Sequence, residues 1–279
     1  MTSKLRNKAL VVGSTSFDII FSIHGNIKDE LQLKDGKLDS INLMFTAQNK
    51  EVYYGGTGGN IAYGLGLLKS NPILFSVVGQ DFHDNYKDHC ISNGIDLKVC
   101  TPNKDTWTAT YYGISDEKYQ QIGIWQPNVY GDYIEEVKLS SELSKTDFEQ
   151  MKIAIFSPGT GISTRNHMLE TYKKTRHQAT IIFDPSQVLS IFYDKVLLKE
   201  CLSLTDILIS NDTEISQFES LFGFNKKKIL DTGVKYIIET KGEKGSIIYS
   251  KSGQIDIAPV KPKKVVETTG AGDAYRAGL

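Results

Sequence analysis

What the 279-residue sequence lacks narrows its function first. Its three cysteines, Cys90, Cys100 and Cys201, show neither CxxC nor Cys/His metal spacing. An odd, unclustered set argues against a disulfide scaffold and for a reducing compartment. No apolar run approaches the roughly 20 residues of a membrane span. The stretch Ala9–Gly13 is too short for the core of a signal peptide, so a cytoplasmic protein is expected. Charge of one sign is missing too. Basic residues number 32 and acidic ones 33, for a formal net charge of −1. No global field therefore favours nucleic acid or an anionic membrane. The lysine runs Lys226–Lys228 and Lys261–Lys264, the second broken by Pro262, read as solvated surface. Neither a GxxxxGK[ST] phosphate loop nor a GxGxxG fingerprint occurs, which argues against P-loop and dinucleotide-dependent chemistry.

What is present is an ordinary globular composition, 40% hydrophobic and 23% charged. It is enough for one large α/β core, alone or with a small second unit. Short apolar runs read as strands at Leu10–Gly13, Ile73–Gly79, Ile153–Ser157, Thr180–Asp184, Asp206–Ser210 and Lys235–Thr240. Helical patterns fall between them, at Ile61–Leu68, Asp81–Asn93, Arg165–His177 and Thr213–Phe222. This alternation predicts a mostly parallel sheet with helices on both faces, and ligands beyond the carboxyl ends of its strands. Gly245–Tyr249 and Ile255–Ala258 read as a hairpin. Two stretches depart from the pattern. Residues 21–50 are polar, with strand-like patches near Ile41–Thr46. Residues 106–126 are rich in Thr, Tyr, Ile and Trp around the turn Ser115–Lys118. Together they predict a small separate sheet able to serve as a lid.

The most informative segment is Glu267-Thr268-Thr269-Gly270-Ala271-Gly272-Asp273. It follows the short strand expected at Val265-Val266 and precedes a helix that begins at Gly270. Glycines 270 and 272 leave backbone N–H groups unobstructed, and the helix points its positive end at them. Such a loop can hold an anion, and Asp273 can accept a proton. The same pattern also suits a plain glycine turn with an acidic first helical turn. Gly55-Gly56-Thr57-Gly58-Gly59-Asn60 admits a second pair of readings. It is either a glycine turn that caps a helix, or a backbone made bare for close approach of a ligand, with Asn60 offering a donor and an acceptor to a diol.

These segments resemble the two signatures of the ribokinase-like (PfkB) kinases, D-T-x-G-A-G-D and G-G-x-x-x-N-x-A, with Glu267 standing where the family has Asp. Asn211-Asp212-Thr213-Glu214 resembles the family's N-x-x-E, and Thr240–Gly245 its T-x-G-x-x-G. The motifs occur in family order along the whole chain. The resemblance implies a ribokinase-like α/β fold in one domain over 1–279, with lid inserts at about 21–50 and 106–126. It implies ATP and Mg2+, with Asp273 as base and Gly270, Ala271 and Gly272 as the anion hole. It implies Asp18, Gly55, Gly56 and Asn60 at the acceptor, and Asn211, Glu214, Thr240, Gly242, Gly245 and Thr269 at ATP; Trp125 joins the acceptor set as a ring on which a base can stack, or else packs the lid or a dimer interface. Glu214 would meet the metal through water. Gly59-Asn60-Ile61-Ala62-Tyr63 and Phe183-Asp184-Pro185-Ser186-Gln187 are similar to adenosine kinase-like members. With the aromatic residues Trp107, Tyr111, Tyr112 and Trp125, they favour a nucleoside acceptor over a sugar. A monovalent cation and a homodimer through the lid are further expectations, as is a non-catalytic binding protein on the same scaffold. Family members usually continue for a few dozen residues beyond the equivalent of Leu279. The sequence is thus expected to be either a shortened piece or one with part of the ATP site lost.

Overall fold

The computed structural model describes residues 7–30, 44–102, 105–118, 120–264 and 269–279. Nine strands form the large sheet: β1 (Lys8–Val12), β4 (Ile73–Val77), β5 (Asp96–Cys100), β8 (Met151–Phe156), β9 (Thr180–Phe183), β10 (Ile207–Asn211), β11 (Tyr236–Thr240), β12 (Ser246–Ser250) and β13 (Gly253–Ile257). Their order is β13-β12-β11-β10-β9-β8-β1-β4-β5. All pairings are parallel except the hairpin β12–β13 and its junction with β11. Helices cover both faces of a parallel sheet, so its strands must be apolar on both sides. Successive residues accordingly divide between two cores. Leu10, Phe75, Phe156, Phe183, Leu208 and Ile237 pack on one face. Val11, Leu74, Ile155, Ile182, Ile209 and Ile238 pack on the other.

Strand order reverses at β1, which has β4 on one side and β8 on the other. Crevices that bind ligands open at such switch points. The first residue past β1, Gly13, leaves no room for a side chain: a Cβ there would strike the Ser157 hydroxyl and approach Gly58.

The second sheet has four strands in the order β3-β2-β6-β7, with β2 spanning Ser16–Ile23, β3 Ala47–Gly55, β6 Ala109–Ser115 and β7 Gln121–Gln126. The expected hairpin is β6–β7, its turn ordered by Asp116, whose Oδ1 accepts from the Lys118 and Gln120 amides at 2.8 and 2.9 Å. The small sheet begins earlier than the sequence suggests. Asp18 lies within β2 itself, and the partner strand starts at Ala47 rather than near Ile41–Thr46, where positions 41–43 fall outside the described residues. The stretch Phe17–Ile23 reads as extended from sequence and is β2, whereas its partner Ala47–Gly55, polar and exposed along nearly its whole length, escapes an apolar-run criterion.

Other boundaries move for local reasons. The expected helix Asp81–Asn93 is a 3-10 turn, Gln80–His83, followed by the helix Tyr86–Ser92. Asp81 turns back to accept from the Thr108 amide and hydroxyl at 2.8 and 2.7 Å. The helix expected from Arg165 starts at Gly161 because Thr160 caps it, accepting from the Ser163 amide at 3.2 Å. The strand expected at Val265-Val266 lies outside the described residues. No helix among the described residues is long and apolar enough to cross a membrane.

Candidate active site

Two glycine-led helix starts meet at the carboxyl edge of the large sheet. Strand β3 ends at Gly55, where a Cβ would strike the Asp18 carboxylate. The Gly55 carbonyl accepts from the buried Tyr86 hydroxyl at 2.7 Å. Gly56 follows at φ 83, with a notional Cβ only 2.6 Å from the Ser14 carbonyl, so glycine alone fits. The helix Thr57–Leu67 then crosses the helix Ala271–Ala277 closely: a methyl on Gly64 would lie 2.7 Å from Cβ of Ala277. That approach lets Asn60 Nδ2 donate to Asp273 Oδ2 at 2.9 Å.

Gly270, at φ 75, caps the Ala271–Ala277 helix. Ala271 and Gly272 are exposed and Asp273 is buried. Burial pushes the Asp273 carboxyl above the ordinary carboxylate range, against the pull of the Asn60 hydrogen bond and the Arg276 charge. Asp18 is pushed up likewise. Burial dominates, the 2.7 Å hydrogen bond from Ser16 Oγ opposes it, and the nearby charge of Asp273 adds to it. The site thus holds two partly desolvated carboxylates, one tied to an amide that can orient it as a base. Deleting the amide by Asn60→Ala removes a hydrogen bond that favours the ionised form. The acid limb of the pH–rate profile is then expected to move upward in pH. A downward or absent shift would show that Asn60 does not tune Asp273.

On the neighbouring strand ends, Asn211 and Thr240 are register partners. Asn211 and Glu214 form a reciprocal capping box: Asn211 Oδ1 accepts from the Glu214 amide at 2.8 Å, and Glu214 Oε2 accepts from the Asn211 amide at 2.9 Å. The N-x-x-E segment therefore builds a helix start, and the cap engages one oxygen of the buried Glu214. Burial raises the Glu214 carboxyl. Gly242, at φ 57, has open space where a Cβ would go, whereas one at Gly245, at φ 86, would strike the Ile257 carbonyl. Gly245 thus fixes the turn against β13, and Gly242 leaves its backbone accessible. Thr269 is exposed just before Gly270, and Glu267 and Thr268 lie outside the described residues. No group of three or more His, Cys, Asp or Glu fit for a metal occurs among the described residues. Mg2+ keeps most of its waters and needs few protein oxygens, so Glu214 is a donor that suits it.

Register sorts the aromatic residues. Asp18 pairs with Tyr53 on one side and Tyr111 on the other, and Tyr111 pairs with Trp125. Paired residues share a face, so Tyr53, Asp18, Tyr111 and Trp125 form one row. Tyr112 points to the opposite face, and Trp107 precedes β6. Tyr111, absent from the residues assigned to the acceptor from sequence, stands between Asp18 and Trp125. Gly113 and Gly123, paired across β6 and β7, make room for its ring: a Cβ on Gly123 would strike it, and one on Gly113 would come within 3.1 Å. Glycines inside two facing strands were the available signal.

Sequence reasoning also missed Arg276. Its guanidinium is buried in an ion pair with Asp184, which follows β9 and is fully buried. Burial outweighs the guanidinium and pushes the Asp184 carboxyl up to about 7.

Comparison with known proteins agrees with this geometry. The model of the pfkB family carbohydrate kinases matches residues 9–279. A nucleoside kinase of Methanocaldococcus jannaschii is 30% identical over 273 residues, covering 98% of this chain and 82% of that protein. The crystal structure of Methanocaldococcus jannaschii nucleoside kinase superposes with a TM-score of 0.79 at 28% identity, over 98% of this chain and 83% of that one. A Burkholderia thailandensis nucleoside kinase in complex with inosine gives 0.77 at 26% identity, over 97% and 82%. A ribokinase-like sheet with its small companion sheet, both signature segments and a match over nearly the whole chain place this protein in the pfkB carbohydrate kinase family, as an ATP-dependent kinase.

Proposed function

We propose that this kinase phosphorylates a primary hydroxyl of a nucleoside, adenosine foremost. The row Asp18–Tyr111–Trp125 carries the reading: a carboxylate suited to a ribose diol stands beside ring faces on which a base can stack. Relatives named nucleoside kinases, one of them solved with inosine, support it.

In this reading the nucleoside lies between Asp18, Gly56, Asn60 and the small sheet, which closes as a lid and excludes water. ATP lies along Asn211, Thr240–Gly242 and Thr269. The acceptor hydroxyl attacks the γ-phosphorus in line while Asp273 takes its proton, and the bond to the β-phosphate oxygen breaks to release ADP. The amides of Gly270, Ala271 and Gly272 face the charge that builds on the transferring group. Mg2+, held by Glu214 through water, would neutralise phosphate oxygens. Three unpaired cysteines suit a cytoplasmic enzyme. The outer face of the small sheet exposes Val52, Tyr112, Ile122 and Ile124, which supports a homodimer through that sheet. Sedimentation velocity showing only monomer at micromolar concentration would remove the dimer.

ATP-dependent turnover over ribonucleosides, ribose and fructose, with and without K+, tests the acceptor. Adenosine is expected to lead both sugars in kcat/KM by at least about tenfold, as one buried ring contact and a matched diol together allow. Preference for ribose or fructose would make it a sugar kinase. Nucleoside binding without turnover would make it a binding protein.

A further inference from the structure

We propose that Arg276 is a positioning residue of the phosphoryl-transfer site, pinned by Asp184 so that its guanidinium sets a fixed positive charge behind Gly272, between Asp273 and Glu214. The inference rests on the kinase reading of Asp273 and extends it to a residue outside both signature segments' assigned roles.

Three carboxylates from three separate elements converge on this one cation. Asp184 follows β9, Glu214 lies in the first turn of the helix Asp212–Phe222, and Asp273 lies three residues before Arg276 on its own helix. All three interact electrostatically with Arg276. The four side chains are buried, Asp184 completely and the other three to within a few per cent. A Cβ on Gly272 would sit 2.5 Å from Nη1 of Arg276, so the guanidinium lies against the backbone whose amide faces the anion. That contact gives Gly272 a second reason to be glycine, besides access for phosphate.

A buried ion pair is a poor device for stability, since well-packed apolar residues do as well or better. Its position explains it better. Among the described residues neither Asp184 oxygen has a hydrogen bond beyond the ion pair, so Asp184 serves Arg276 alone. The planar fork of arginine can address carboxylates on several sides, which a lysine ammonium on a flexible stem would not reproduce. Held there, the cation orients the base and the metal-side glutamate. It also adds a preorganised charge where negative charge grows during transfer, at no cost of reorganisation.

The test compares wild type with Arg276→Ala, Arg276→Lys and the double variant Asp184→Asn/Arg276→Met, which removes both members of the ion pair so that Asp184 is not left as a lone buried charge. The double variant is expected to keep its thermal midpoint within a few degrees and its nucleoside affinity, by calorimetry, within about threefold. Its kcat should fall about 100-fold, the scale of losing one preorganised donor. Arg276→Lys should recover little. Millimolar guanidinium should restore part of kcat to Arg276→Ala, while urea, of the same shape and neutral, should not. A double variant with kcat within about threefold of wild type overturns the proposal. So does a loss of kcat that tracks the thermal midpoint, with guanidinium no better than urea. Wild-type turnover is measured first. Its absence would refute the kinase reading itself and this inference with it, whereas an active wild type with indifferent variants refutes the role of Arg276 alone.

Discussion

Asp273→Asn should lower kcat about 1,000-fold while leaving nucleoside affinity within a few-fold of wild type. The figure follows from general base catalysis, which contributes roughly 10²–10⁴. The substitution is nearly isosteric, and its amide oxygen can still accept from Asn60, which now donates at 2.9 Å. The pocket therefore keeps its shape and loses only the basic oxygen. Stability should move the other way. Burial raises the Asp273 carboxyl above its unfolded value. The folded state then binds the proton more tightly, so this group favours folding at low pH and progressively less as pH rises through its folded value. Replacing it with a neutral amide removes that penalty, and the variant should melt no lower than wild type at pH 8. Single-turnover phosphoryl transfer and calorimetry measure the two halves. Turnover within tenfold of wild type would remove Asp273 as the base.

The second large effect concerns Asp18. Asp18→Asn should raise KM for a ribonucleoside about 100-fold with a smaller change in kcat, because the ribose loses two hydrogen bonds to a charged acceptor. Bonds of that kind contribute roughly 1.5–3 kcal/mol each, and part survives through the amide oxygen. The diagnostic comparison uses 3′-deoxyadenosine. If Asp18 holds the diol, the substitution should cost less with the deoxy substrate, since one of its two hydroxyl partners is already gone. Equal losses on both substrates would mean that Asp18 acts through the Gly55 turn it packs against.

The sequence made the large sheet legible because its strands are continuous apolar runs, and both glycine turns because glycine alone fits the crowded φ 83 at Gly56 and adopts the left-handed φ 75 at Gly270 without strain. Loop motifs therefore survived translation into geometry. Side chains brought together by tertiary packing did not. Tyr111 looks like one aromatic among several until register places it next to Asp18 and separates it from Tyr112. Asp184 and Arg276 lie 92 positions apart by their numbers, and no local pattern joins them. Asp18 was legible as a candidate on an extended stretch, Phe17–Ile23, which is β2; its partner strand Ala47–Gly55 was not, since it is polar and exposed along nearly its whole length. The N-x-x-E match at Asn211 and Glu214 was legible in the sequence, and the structure makes it a capping box in which one Glu214 oxygen closes the helix start.

The bond from Asn60 to Asp273 joins residues separated by 213 positions. Closing so large a loop is entropically expensive and comes late in assembly. A ribosome-bound chain can complete its acceptor side while the base is still unmade. Such a nascent protein would hold an acceptor without transferring phosphate to it, and chemistry would switch on only when the helix Ala271–Ala277 docks at Gly64.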